Sequence, residues 1–180
     1  MLMRAEHSNL LIVDVQERLA PVMSDPRRVI NGCALLMRAA QRLGVPITVS
    51  EQYPKGIGAT IFDLREWIPA EGAIAKLHFS CVDEPAIVGR LDAGARRQVV
   101  IAGIEAHICV LQSALGFKDR GYDVFVVTDA CASRRPENEE AAWLRLREAG
   151  VATVTAEMVL FEWLCEAGTP EFKELVALVK

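Results

Sequence analysis

The strongest constraint on the fold is the alternation of short apolar runs with helical patterns along the whole chain. Runs such as "NLLIVDVQ" (9–16) and "RQVVIAGI" (97–104) are continuously hydrophobic and of strand length, which is typical of strands buried on both faces. Asp25-Pro26 reads as an N-cap with a first-turn proline, and the helix that follows is expected to end at Gly44. Six runs predict strands, at 9–16, 45–52, 73–79, 97–104, 123–130 and 151–156.

This alternation predicts the α/β class, with a parallel sheet that is covered by helices on both faces. The chain has 180 residues, of which 52% are hydrophobic, so it can bury a substantial core. Since no repeat, low-complexity tract or linker divides it, we expect one domain over residues 1–180. Ligands of such sheets bind beyond the carboxyl ends of the strands, and functional residues are expected there.

Composition restricts the partners and the compartment. The net charge of −4 comes from interspersed acidic and basic residues, which does not favour a nucleic-acid partner. No apolar run reaches the roughly 20 residues of a membrane span, and "MLMRAEHS" lacks a signal-peptide core. Five cysteines form an odd number without CxxC spacing. We therefore expect no disulfide framework, no membrane association and a cytoplasmic location.

Three reactive side chains lie where predicted strands end. Asp14 follows "LLIV", Lys76 follows "AIA", and Cys109 opens the helix after "VVIAGI". Each also has a purely structural explanation: Asp14 as a cap, Lys76 as a solvated surface residue, Cys109 as a small core residue. Their joint occurrence at one end of one sheet favours a reactive site.

The chemistry of such a site is that of a thiol nucleophile. A thiolate forms more readily beside a cation or at a helix N-terminus, so the helix and Lys76 are expected to lower the pKa of Cys109. Asp14 would serve as general base and then as general acid. Backbone N–H groups of the turn before Cys109 would stabilise an oxyanion.

Four ordered motifs resemble the isochorismatase-like cysteine hydrolase family: "LLIVDVQ", "KLHFS", "GIEAHICVLQSAL" and "VFVVTDACASR". The chain is most similar to the branch of short isochorismatase domain proteins with a G-[IV]-E-A-H-[IV]-C turn. The resemblance implies a three-layer α/β/α, Rossmann-like fold around a six-stranded parallel sheet, and a homo-oligomer. It implies a catalytic triad of Asp14, Lys76 and Cys109. It also implies a cis peptide at Ile104–Glu105 that directs the N–H groups of Glu105 and Cys109 at the oxyanion.

The chain departs from the metal-dependent nicotinamidases that this family includes. Those enzymes bind a metal through an Asp-x-His motif after the second strand, where this chain has "SEQYPKG", with Glu51 but no histidine. The three histidines, His7, His78 and His107, are too scattered for a metal site. We therefore expect neither a metal nor another cofactor. His107 lies close to Cys109 in sequence, but its position at a helix start is expected to direct it away from the thiol.

Gln16, Tyr53 and Phe79 are weaker candidates for the walls of the substrate pocket. Gln16 lies two residues past Asp14, so strand alternation could place both side chains on one side. Tyr53 lies in a Pro/Gly-rich loop, and Phe79 follows Lys76. Each has a structural explanation of equal weight.

Two classes of function remain open from the sequence. The first is a hydrolase that cleaves a small amide or related C–N bond of a small-molecule substrate through a covalent thioester-type intermediate. The second is a catalytically silent scaffold or regulatory binding protein that retains the triad, with "MVLFEWL" as a surface for a partner. A dinucleotide-dependent oxidoreductase is disfavoured, because "VDVQERLAP" has no glycine to admit a pyrophosphate.

Overall fold

Six parallel strands form one sheet at the centre of the protein, whose computed structural model describes residues 1–179. The strands are β1 (Ser8–Val13), β2 (Ile47–Gln52), β3 (Ile74–Lys76), β4 (Gln98–Ile104), β5 (Asp123–Ala132) and β6 (Ala152–Val154). Their spatial order is β3-β2-β1-β4-β5-β6. The chain therefore builds outward from β1 to β3 and then returns to place β4 on the other side of β1. The crevice between β1 and β4 is where an open α/β sheet binds its ligand.

Helices cover both faces of the sheet, as the alternation predicts. They are α1 (Pro26–Leu43), α2 (Pro54–Ile57), α3 (Pro85–Asp92), α4 (Leu111–Asp119), α5 (Pro136–Glu148), α6 (Ala156–Leu164) and α7 (Pro170–Leu175). The side chain of Asp25 caps α1 by accepting a hydrogen bond from the backbone N–H of Arg28, and α1 ends at Gly44 with φ 67°.

The core is divided into two apolar layers by the sheet. In β1, Leu10 and Ile12 pack into the layer that holds α1, α6 and α7, whereas Leu11 and Val13 pack into the layer that holds α3, α4 and α5. This alternation is the period-two arrangement of a strand that is buried on both faces. The three-layer α/β/α fold around a six-stranded parallel sheet is thereby confirmed.

Gly103 allows the two central strands to approach each other at their carboxyl ends. It pairs with Val13 and has φ 122°, a conformation that L side chains rarely adopt. A Cβ atom at this position would lie 2.1 Å from the backbone oxygen of Val13. The absence of a side chain therefore brings the residues that follow β1 and β4 together.

Element bounds differ from the sequence prediction at the segment after β4. The helical segment begins at Ala106 rather than near residue 108, and its first turn, Ala106–Val110, is a π-helical turn. Cys109 consequently lies inside this turn and not at the first position of a helix. Within residues 1–179, no helix is both long and apolar enough to cross a membrane.

Candidate active site

Asp14 lies directly after β1 and is completely buried. Its φ of 53° is in the left-handed region, which aspartate tolerates better than most residues. The backbone N–H of Asp14 donates to the Ser50 oxygen at 3.1 Å, and the Ser50 hydroxyl donates to Oδ1 of Asp14 at 2.7 Å. The carboxylate is thus held at the crevice beside β1 by the neighbouring strand β2.

Lys76 is the last residue of β3 and forms a buried ion pair with Asp14. Its Nζ lies 2.8 Å from Oδ2 of Asp14, and neither side chain is exposed. Nζ also donates to Oε1 of Gln52 at 2.6 Å. Burial is the largest influence and would lower the pKa of Lys76, but the charge and hydrogen bond of Asp14 and the nearby thiols of Cys109 and Cys81 together outweigh burial and raise that pKa. Lys76 is therefore a buried ammonium, and the alternative that it is a solvated surface residue does not hold.

Cys109 is close enough to this ion pair for both charges to act on its thiol. The residue is 5% exposed. Burial and then the negative charge of Asp14 raise the pKa of Cys109, and the Lys76 ammonium opposes them only in part. The expectation of a lowered pKa is therefore wrong, because desolvation and the adjacent carboxylate outweigh the cation. At rest the site holds a neutral thiol.

Cys81 is a second buried thiol beside the same ion pair, and the sequence offered no spacing that would identify it. Its Sγ lies 3.7 Å from Oγ of Ser50, and its backbone N–H donates to Oγ of Ser113 on α4 at 2.8 Å. Burial, with a further contribution from Asp14, raises the pKa of Cys81 to about 11. Any labelling of the site must therefore distinguish the two thiols.

The turn that carries Cys109 is fastened to the segment after β5. The carboxylate of Glu105 accepts hydrogen bonds from the backbone N–H and from Nε of Arg134, at 3.0 and 3.1 Å. Nδ1 of His107 lies 2.8 Å from Oγ of Ser133. The peptide bond between Ile104 and Glu105 is cis. His107 thus packs against the segment after β5, and its Nε2 lies 3.3 Å from Nδ2 of Asn138 on α5.

Glu139 on α5 fixes that segment in turn, and sequence reasoning missed it. Its carboxylate is nearly buried and accepts three hydrogen bonds from three different parts of the chain. The donors are the backbone N–H of Ser133 at 2.9 Å, the hydroxyl of Ser24 at 2.8 Å and the guanidinium of Arg28 at 2.8 Å. An acidic residue in the first turn of a helix reads as an ordinary exposed group, so no local signal identifies this role.

Of the three candidates for pocket walls, the structure places two at the surface and one in the interior. Tyr53 and Phe79 are 51% and 54% exposed. Tyr53 helps to line an open cavity of about 390 Å³ next to Lys76, Leu77 and His78. Gln16 is completely buried, and both ends of its amide are used by the backbone of Gln52 and Gly58. Its amide thus holds backbone groups in the interior, and its place in the wall of the substrate pocket stays a prediction.

Glu51, near the end of β2 in a segment that lacks an Asp-x-His motif, has a structural role. Oε1 of Glu51 accepts hydrogen bonds from the backbone N–H and the hydroxyl of Thr60, both at 2.7 Å. In the described part of the chain, residues 1–179, no group of three or more His, Cys, Asp or Glu side chains is arranged to hold a metal ion.

Comparison with known sequences identifies relatives over nearly the full length of the chain. "Isochorismatase domain-containing protein 2" of Bos taurus is 38% identical over 176 residues, which cover 96% of this chain and 83% of that protein. "Secreted isochorismatase effector Isc1" of Phytophthora sojae is 36% identical over 180 residues, which cover 97% of this chain and 85% of the effector.

Solved structures share the whole fold. The MAR1 ribonuclease from Caenorhabditis elegans superimposes with a TM-score of 0.91 at 32% identity, covering 99% of this chain and 92% of that one. YcaC from Pseudomonas aeruginosa, solved with hexane-2,5-diol and covalent acrylamide, gives a TM-score of 0.92 at 26% identity, with coverages of 98% and 91%. The family model for the isochorismatase domain matches residues 8–158. On this match and these relatives, the chain belongs to the isochorismatase family.

Proposed function

We propose that this protein is a hydrolase that cleaves a small amide or related C–N bond through a thioester formed on Cys109. The observation that carries the proposal is the fully buried ion pair of Asp14 and Lys76 beside a buried thiol. Buried charges cost solvation free energy that their mutual attraction often fails to offset, so such a pair is weak evidence for stability. Titratable groups grouped in the crevice of an α/β sheet are instead typical of a functional site.

The proposed reaction begins from the neutral thiol. Asp14 takes the thiol proton as sulfur attacks the carbonyl carbon, so that a C–S bond forms and the carbonyl oxygen becomes an oxyanion. The N–H groups of Glu105 and Cys109 stabilise that oxyanion. The C–N bond then breaks as Asp14 gives the proton to the leaving nitrogen. Water, deprotonated by Asp14, cleaves the thioester to release the acid and restore the thiol.

Lys76 orients the Asp14 carboxylate in this scheme through their contact at 2.8 Å. Its ammonium also stabilises negative charge on sulfur during the attack. The small exposed fraction of Cys109 restricts the substrate to small molecules. Tyr53 and Phe79, both at the surface near Lys76, are the wall residues that we propose for the approach to the thiol.

The proposal is tested by intact-mass spectrometry after incubation with a panel of small amides and with acrylamide. Cys165→Ser serves as the background, because Cys165 is the exposed cysteine of the chain and would react on its own. We expect an adduct on Cys109 and amide turnover, both absent from Cys109→Ala with an unchanged circular dichroism spectrum. Turnover that survives Cys109→Ala would reject the mechanism.

The scaffold alternative gains one observation, the raised pKa of the resting Cys109 thiol. A scaffold has no need of a reactive thiol, so Cys109 would then be no more reactive than Cys33, which is completely buried. Parallel alkylation of Cys109 and Cys33 in the same protein separates the two hypotheses. We expect Cys109 to react first.

Ribonuclease activity is the further candidate that the comparison with the C. elegans protein raises. A net charge of −4 with interspersed charges does not favour binding of a polyanion. We therefore expect no cleavage of a fluorescently labelled RNA oligonucleotide by the wild-type protein. If the wild-type protein cleaves the RNA and Cys109→Ala does not, the substrate of the site is RNA and not a small amide.

We further propose that the protein is a homo-oligomer of the cytoplasm. Phe62 and Leu77 are 83% and 71% exposed, which is unusual for large apolar side chains of a monomer. All five cysteines are free thiols, as in a reducing compartment. The P. sojae relative is named as a secreted protein, so family membership does not determine the compartment.

A further inference from the structure

Gln52 is the last residue of β2, and its side chain contacts the ammonium group of Lys76. Its Oε1 accepts a hydrogen bond from Nζ of Lys76 at 2.6 Å, and its Nε2 donates to the oxygen of Leu77 at 2.8 Å. Because Nε2 is committed to a carbonyl, the amide has only one orientation that satisfies both partners. The nearly buried Gln52 is therefore a fixed acceptor for the ammonium.

Gln16 fixes Gln52 through a reciprocal pair of hydrogen bonds. The backbone N–H of Gln52 donates to Oε1 of Gln16 at 2.7 Å, and Nε2 of Gln16 donates to the oxygen of Gln52 at 3.0 Å. Nε2 of Gln16 also donates to the oxygen of Gly58 at 2.6 Å. The end of β2 is thus tied to the segment after β1, and Gln52 cannot shift without breaking this pair.

Among residues 1–179, the ammonium of Lys76 has one charged acceptor and several neutral ones. Asp14 is the charged acceptor, at 2.8 Å, whereas Gln52 is neutral, and the oxygens of His78 and Phe79 lie farther away, at 3.2 and 3.1 Å. A lysine side chain is a point charge on a flexible stem, so its position depends on its acceptors. A neutral acceptor orients the ammonium and leaves its positive charge available to the nearby sulfur.

We propose that Gln52, held by Gln16, is a positioning residue that keeps the Lys76 ammonium between Asp14 and Cys109 and thereby governs the reactivity of the thiol. The inference rests on the proposed function, since it concerns the same thiol. Gln52 contacts Lys76 and acts through it, and its role does not require that it touch the substrate.

The test compares Gln52→Leu with the matched control Gln98→Leu. Gln98 is a nearly buried glutamine at the amino end of the central strand β4, far along the strands from the site, where it bonds to Arg4, Ser8 and Leu2. Both substitutions remove a buried amide with several hydrogen bonds, so both lower the melting temperature. The rate of Cys109 alkylation by iodoacetamide is then measured between about pH 7 and about pH 9 in the Cys165→Ser background.

We expect Gln52→Leu to slow alkylation about tenfold across this range, because one hydrogen bond to a charged group is lost. Gln98→Leu should alkylate at the wild-type rate. Gln16→Leu should slow the reaction in the same direction and by a smaller factor. Gln52→Glu preserves the shape of the side chain and adds a negative charge near sulfur. Gln52→Glu should slow alkylation and shift the pH dependence of the alkylation rate to higher pH. If Gln52→Leu does not fold, the result with Gln52→Glu decides the test.

The outcomes separate this inference from the proposed function. If wild-type Cys109 reacts no faster than Cys33, the proposed function fails and the positioning role fails with it. If wild-type Cys109 is reactive while Gln52→Leu and Gln52→Glu alkylate like Gln98→Leu, Gln52 has only a structural role. The hydrolase proposal would then stand without it.

Discussion

Asp14 and Lys76 are opposite charges without any solvent exposure of their side chains. Each depends on the other, because an unpaired charge in this interior would be neither solvated nor neutralised. The thiol of Cys109 experiences both of them, and its raised pKa shows that burial and Asp14 dominate over Lys76. At the scale of residues, the site is therefore a neutral thiol beside a closed ion pair.

Lys76→Met is expected to lower the free energy of unfolding by about 3–5 kcal/mol, because it leaves the Asp14 carboxylate buried without its partner. The double variant Asp14→Asn, Lys76→Met should recover much of this loss. Urea denaturation of the two variants and the wild type measures the difference. A single variant as stable as the wild type would show that the ion pair is not closed in solution.

The pH dependence of alkylation reports the charge on sulfur. Because the pKa of Cys109 is raised, the thiolate is a minor form at neutral pH, and its fraction grows about tenfold with each pH unit. The alkylation rate of the wild type should therefore rise about tenfold per pH unit between about pH 7 and about pH 9. The raised pKa of Lys76 keeps its ammonium charged throughout this window. Asp14→Asn removes the negative charge near sulfur, so alkylation at neutral pH should accelerate while amide turnover is lost. Stopped alkylation in this variant would contradict the assigned electrostatics.

At the scale of elements, the site is assembled from strand ends that are far apart in sequence. Asp14 directly follows β1, Lys76 is the last residue of β3, and Cys109 lies in the turn after β4. Contacts from the segment after β5 hold the turn in place, through Arg134 with Glu105 and Ser133 with His107. This assembly depends on the close approach of β1 and β4 at Gly103.

Gly103→Ala should destabilise the protein by about 2–4 kcal/mol, since a Cβ atom would collide with the Val13 oxygen in a backbone conformation unfavourable to alanine. Thermal and urea denaturation give the magnitude. The matched control is Gly89→Ala in α3, where a Cβ atom meets nothing within 4 Å. That change should raise stability by up to about 1 kcal/mol through helix propensity. Equal effects of the two variants would refute the close approach.

At the scale of the whole molecule, large apolar side chains remain exposed near the carboxyl edge of the sheet. Leu77 directly follows the lysine of the ion pair, and Phe62 lies in the segment between β2 and β3. Association of identical subunits would bury such side chains and reduce access to the site from solvent. Oligomeric state and reactivity are thus expected to be linked.

Sedimentation equilibrium should give a mass that is a multiple of the 19.8 kDa of one chain. Leu77→Asp should weaken the assembly, because it places a charge in the proposed interface. Leu144→Asp changes an exposed leucine on α5 and serves as the control, with the wild-type mass expected. A wild-type protein that sediments as a monomer would remove this proposal.

The sequence by itself determined the order of the six strands along the chain and the class of fold, because buried strands and capped helices leave local patterns. Asp25 and Gly44 bound α1 as predicted, for instance, through a side-chain cap and a left-handed turn. It also placed Asp14, Lys76 and Cys109 at strand ends, where parallel topology brings residues to one edge.

Only the tertiary structure decided the electrostatics of the site and the partners of each side chain. The pKa of Cys109 rises because desolvation and the charge of Asp14 add together, and neither can be read from neighbouring letters. Gln16 is buried against the backbone of Gln52, and Cys81 lies beside the ion pair, through contacts between residues that are distant in sequence. Local patterns record the backbone conformation of a segment, whereas solvation and charge depend on everything that packs around it.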